Sequence, residues 1–89
     1  MTDIIRLQDE LGAALRIHRK ARGLNKSVLA ARAGKVREVV YRPEAGEDTT
    51  VSSLLAVLGA LGLALRLEPV GLPTAEEVSR RFQDDDDAA

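Results

Sequence analysis

Between Leu11 and Gly46 glycine recurs at the ends of short apolar-periodic runs, and this punctuation constrains the fold more than any other feature of the chain. One run ends at Arg22 and Gly23, a second at Ala33 and Gly34, and a third, Lys35 to Arg42, follows at once. Glycine takes the left-handed backbone conformation that closes a helix without the clash a Cβ would bring. Asn25 stands where it can cap a helix from Lys26 to Ala33, with Val28, Leu29 and Ala33 as its inward stripe. Two short helices about such a turn form a helix-turn-helix, with residues 35–42 as the candidate reading helix.

The flanks extend this into a small helical bundle. Thr2 or Asp3 can cap a first helix whose apolar residues Ile4, Leu7, Leu11, Ala14, Leu15 and Ala21 recur at three- and four-residue spacing, with residues 3–9 either joining that helix or preceding it. Pro43 lacks a backbone donor and crowds the preceding turn, so the third helix is expected to stop near Tyr41. Thr49 or Thr50 can cap a fourth helix, Val51 to Leu61, whose Leu54, Leu55, Val57, Leu58 and Leu61 close the core before Gly62.

The period then changes. Leu63, Leu65 and Leu67 alternate with Ala64, Arg66 and Glu68, the two-residue repeat of a half-buried strand. A lone strand leaves its backbone unpaired, so the run Leu63 to Val70 is expected to pair with its counterpart in a second copy. Residues 1–70 are thus expected to form the folded domain, and residues 71–89 an acidic, largely flexible tail. Within that tail Thr74 to Glu77 offers a capping pattern for a short helix, Pro73 to Gln83, and Asp84 to Ala89 carries four adjacent like charges that bury nothing.

Charge is distributed unevenly. Gly12 to Arg42 holds nine Lys or Arg residues against one acid, Glu38, a balance of +8. Residues 43–89 carry −7 and residues 1–11 carry −2, so the whole-chain value of −1 conceals a basic front that suits a polyanion. At 89 residues and 45% hydrophobic content a single core is only marginally sufficient, which again favours an oligomer. Cysteine is absent, excluding disulfides and thiolate metal sites. The apolar run Leu54 to Leu65 is shorter than the roughly 20 residues a membrane span needs, and the N-terminus lacks a signal-peptide layout. The expectation is a cytoplasmic protein without membrane association.

Catalytic chemistry finds no purchase. His18 is the single histidine, and an isolated histidine on a helix is ordinarily a surface or boundary residue. Ser27, Ser52, Ser53 and Ser79 have no base at a usable spacing, and no glycine loop cradles a phosphate. Neither an enzymatic role nor a cofactor is expected. Asp84 to Asp87 suits solvation better than a cation site, although it can compete with DNA for the basic face. With Tyr41 and Phe82 as the only aromatic rings besides His18, single-stranded RNA readout is disfavoured.

Residues 11 to about 62 resemble the lambda-repressor-like helix-turn-helix domain, of the Cro or xenobiotic-response-element type. The residues that carry this are Leu11, Gly12, Leu15, Arg19, Gly23, Leu24, Asn25, Leu29, Ala30, Ala33, Gly34, Arg37, Val40, Glu44 and Gly46, then Ala60, Leu61 and Gly62. The stretch from Thr49 through Leu67, with a strand after helix 4, is similar more narrowly to HipB-type antitoxins. Three departures stand out: Lys26 where the family favours Gln, Lys35 and Val36 in reversed order of character after the turn glycine, and Pro43 where Ile or Leu is usual.

The resemblance implies an all-α fold, a lambda-repressor-like bundle of four to five helices with a C-terminal dimerising β-strand built on Leu63, Leu65 and Leu67. It implies a structural pair between Arg19 and Glu44. It places Arg37, Glu38, Tyr41 and Arg42 toward the major groove, where Arg suits guanine O6 and N7 and Glu can accept from cytosine N4. Asn25, Lys26, Ser27 and Lys35 would contact phosphate, positioning the domain without reading sequence. The competing interpretation of these residues is a solvated helix surface, which suits Arg16 best. The implied protein is a homodimeric repressor bound to double-stranded operator DNA, an antitoxin that autoregulates its operon and neutralises a HipA-like kinase toxin. Two alternatives stay open: a degenerate helix-turn-helix that scaffolds a protein partner, and a stand-alone phage-type repressor.

Overall fold

The computed structural model describes residues 3–71. These form four helices: α1 (Gln8–Ala21), α2 (Lys26–Arg32), α3 (Glu38–Glu44) and α4 (Val51–Ala60). All four end in the same way, with a glycine at positive φ (Gly23, Gly34, Gly46 and Gly62) one residue past the cap. The following N–H reaches back five residues, from Leu24 to Arg19, Lys35 to Ala30, Glu47 to Arg42 and Leu63 to Leu58. This closure satisfies carbonyls that a helix end otherwise leaves open. At their starts, the Asn25 side chain accepts from Val28 N at 2.8 Å and Thr50 Oγ1 from Ser53 N at 3.2 Å, satisfying orphan donors of α2 and α4.

The core gathers Leu15 of α1, Leu29 and Ala30 of α2, Val40 of α3, and Val57, Leu58 and Leu61 in and just after α4. Leu11, Leu24, Ala33, Val39, Leu54 and Leu63 pack around it. Val28, expected to face inward, is exposed, and Ala30 fills that role. Leu55 is likewise exposed, since α4 buries one stripe only. α1 crosses α3 closely at Gly12: a Cβ there would stand 2.5 Å from the Pro43 carbonyl oxygen and 2.8 Å from that of Glu44.

The start of α1 and the end of α3 fall at places that apolar spacing alone does not give. The first helix begins at Gln8, not near Ile4, because Glu10 Oε1 accepts from the backbone N–H groups of Arg6 and Leu7 and fixes the start there. Asp3, a candidate cap, instead meets His18 Nε2 at 2.8 Å. The third helix runs through Pro43 to Glu44. Pro43 is the penultimate residue of α3, so it forfeits the single intrahelical bond its N–H would have made to Val39, and its ring is buried in the core. The same helix starts only at Glu38, leaving Lys35 to Arg37 in the turn.

The strand expected over residues 63–70 was to pair with a second copy, which a single chain does not contain. No strand forms among the described residues. A strand exists through its inter-strand hydrogen bonds, and this chain offers that run no partner. Leu63 packs on the core while Leu65 and Leu67 are exposed, Leu67 by 89%. The expected helix Pro73 to Gln83 and the Asp84 to Ala89 run lie outside the described residues. No helix among the described residues is long and apolar enough to cross a membrane.

Candidate nucleic-acid interface

The pair that sets α3 against the rest of the motif is Arg19 with Glu44. Arg19 Nε donates to Glu44 Oε2 at 2.7 Å and Nη2 donates to Oε1 at 3.0 Å, a two-pronged contact. Nη1 donates to the Leu24 carbonyl at 2.8 Å, tying the turn after α1 to the same guanidinium. Both side chains are over nine-tenths buried. The hydrogen bond to Glu44 raises the Arg19 pKa above its ordinary value, against the opposing effect of burial. Whatever stability this shift supplies is therefore complete below the ordinary guanidinium range and is lost only above it.

With Val40 and Pro43 buried and Val39 half-buried, α3 turns Glu38, Tyr41 and Arg42 outward, together with Arg37 at its cap. Residues four apart share a helix face, so these make two rows, Arg37 with Tyr41 and Glu38 with Arg42. The second row lines an open groove of about 560 Å³ with Asp48, Thr49, Thr50 and Ser53 of the α3 to α4 loop and the start of α4.

The first row joins the start of α2. Lys26 Nζ lies 4.1 Å from the centroid of the Tyr41 ring and the Arg37 guanidinium carbon lies 4.6 Å from it. Arg37 Nη2 also donates to Tyr41 Oη at 2.9 Å. Lys26, Tyr41 and Arg37 thus meet, whereas Lys35 and Ser27 are exposed and make no side-chain hydrogen bond among the described residues. The side-chain oxygen of Asn25 is taken up in capping α2. Among the described residues, Lys26, Arg32, Lys35, Arg37 and Arg42 form no ion pair, so these five cations of the basic stretch are uncompensated, whereas its Arg19 is spent on Glu44.

Tyr41 as the meeting point of two helices was not legible in the sequence. The spacing from Arg37 to Tyr41 signals a helical neighbour, but the approach of Lys26 depends on how α2 packs on α3. Gly12 was recognised as part of a pattern, while its contact with the Pro43 carbonyl needed the packing of α1 on α3.

No protein-family profile and no curated protein sequence matches the chain. Solved structures do match in fold. A HipB variant in complex with an O2 20mer aligns with a TM-score of 0.73 at 21% identity, over 80% of this chain and 100% of that one. HipB in an O4 20mer complex aligns at 0.73 and 22%, over 79% and 100%. A complex of HipA, HipB, O2 and O3 aligns at 0.72 and 22%, over the same shares. The chain has a HipB-like helix-turn-helix fold.

Proposed function

We propose that the protein is a sequence-specific, double-stranded DNA-binding repressor of the HipB antitoxin type, acting as a homodimer that regulates its own operon and neutralises a HipA-like kinase toxin. The observation that carries this is the outward row of α3 beside the start of α2, whose cations have no ion-pair partner among the described residues. Uncompensated cations on the edge of a helix-turn-helix suit phosphates, and Arg37 and Glu38 suit base edges. Asn25, Lys26, Ser27 and Lys35 serve as the phosphate-side contacts, Arg37, Glu38 and Arg42 as the groove-side contacts, and Tyr41 stands among the latter on the same exposed face of α3. The neighbours solved with a 20mer and with HipA support the same assignment of partners.

The dimer is proposed to form through residues 63–68. Leu65 and Leu67, with the exposed Ile4, Ile5 and Val70, lie along an apolar groove of about 500 Å³ between α1, α4 and both flanking segments. Pairing Leu63 to Glu68 with the same run of a second copy would supply the missing ladder and cover this surface.

Two experiments test the reading. Fluorescence anisotropy with duplex DNA across a salt series is expected to show binding that weakens steeply as salt rises, since released counterions drive association. A kinase-like reading frame is expected beside the gene for this chain, and co-expression with it is expected to yield a complex that survives purification. Absence of duplex binding with formation of a protein complex would instead support the scaffold alternative.

A further inference from the structure

Two like charges drawn to one ring repel each other, and among the described residues neither Lys26 nor Arg37 has an acid to offset the repulsion. The Tyr41 ring face attracts both through its quadrupole. Its hydroxyl takes one Arg37 donor, leaving the others free for the two-pronged contact a guanine requires. The Lys26 ammonium makes no hydrogen bond among the described residues, so its hydrogens that point away from the ring stay available. Tyr41 is itself 39% exposed, so the core does not depend on it.

We propose that Tyr41 is a positioning residue: it holds Lys26 of α2 and Arg37 at the start of α3 in the poses in which they meet duplex DNA, and it acts on binding through them. This rests on the DNA-binding reading above. Long cationic side chains lose rotamer freedom when they bind, and a ring that has already restrained them removes part of that cost. One residue thereby couples a phosphate contact to a base contact across the two helices of the motif. An acidic protein would also find two cations here, but the outward row of α3 continues with Glu38 and Arg42, whose mixed signs suit base edges better than a uniformly acidic surface.

The test is a mutant cycle read by anisotropy with two probes, duplex DNA of random sequence and the best duplex selected by the wild-type protein from a randomised library. Tyr41→Phe keeps the ring and removes the hydroxyl, so it is expected to leave random-duplex binding unchanged and to weaken the selected duplex about two- to tenfold. Tyr41→Leu releases both cations and is expected to weaken random duplex by one such factor, through Lys26, and the selected duplex by one for each released side chain. In the double variant Lys26→Ala with Arg37→Ala, adding Tyr41→Leu is expected to change neither.

A further loss in that double variant would show that Tyr41 touches DNA itself, and wild-type binding by Tyr41→Leu would show that it positions nothing. Either result overturns the proposal. Nuclear magnetic resonance order parameters of the Arg37 Nε–H bond, measured without DNA, give a second readout: they are expected to fall in Tyr41→Leu, and an unchanged value overturns the proposal too. Failure of the underlying reading is distinct, because it appears in the wild-type protein as absent duplex binding before any substitution is made.

Discussion

Gly12 lies against Pro43 so closely that a Cβ on the glycine would come within 2.5 Å of the proline carbonyl oxygen. Backbone cannot retreat as a flexible side chain can. Gly12→Ala is therefore expected to destabilise the fold by about 1 to 3 kcal/mol despite alanine's better helix propensity. Gly59 lies in α4 with nothing within 4 Å of its ideal Cβ, so Gly59→Ala is expected to stabilise by about 0.5 to 1 kcal/mol. Urea midpoints moving in opposite directions would bear out the close crossing of α1 and α3; a Gly12→Ala protein as stable as wild type would contradict it.

Loss of Glu44 should cost far more than loss of Glu47. Glu44 is buried and doubly bonded to Arg19, so its removal strands a buried guanidinium at a cost of about 3 to 5 kcal/mol. Glu47 is exposed and forms no ion pair among the described residues, and its change to alanine should stay within about 0.5 kcal/mol. Equal urea midpoints for Glu44→Ala and Glu47→Ala would show that the pair does not hold α3 in place.

The proposed dimer is open to a single substitution. Leu65→Pro removes a backbone donor from the middle of the proposed pairing run, while Leu65 itself is exposed and outside the core of the single chain. Sedimentation is expected to show a lower dimer fraction with helix content retained. An unaltered dimer, or a monomeric parent, would remove residues 63–68 from the interface.

Helix ends proved the most legible part of the fold, because each is set by a local rule. Gly23, Gly34 and Gly62 close their helices where a glycine should, and Asn25 and Thr50 cap α2 and α4 through their own side chains. The start of α1, open in the sequence, is set by an equally local contact, Glu10 taking the N–H groups of Arg6 and Leu7. The end of α3 depends instead on packing: burial of the Pro43 ring sustains a helix that its missing donor argues against. Alternation of Leu63, Leu65 and Leu67 specifies a period but not a partner, and a strand needs both. Within the candidate interface, the charge excess and the exposed row of α3 were readable from sequence; the convergence of Lys26 and Arg37 on Tyr41 was not, being a property of packing.

The roles proposed for the two cations separate experimentally. Lys26→Ala should weaken binding to all duplexes alike and reduce the salt slope by about one, as expected for a lost phosphate contact. Arg37→Ala should relax preference at a particular base pair at a cost of about 1 to 3 kcal/mol there. Identical effects of the two changes on random and selected duplexes would dissolve that division of labour.

Selection of binding sites from genomic DNA at near-physiological salt tests the central claim most directly. A homodimer reading DNA through α3 is expected to enrich one two-fold sequence whose half-sites are spaced about 34 to 36 Å, one helical turn, or a multiple of it. It should bind that sequence at least about a thousandfold more tightly than random duplex. Enrichment of no sequence, with affinity no better than the roughly micromolar non-specific level, would contradict the repressor account.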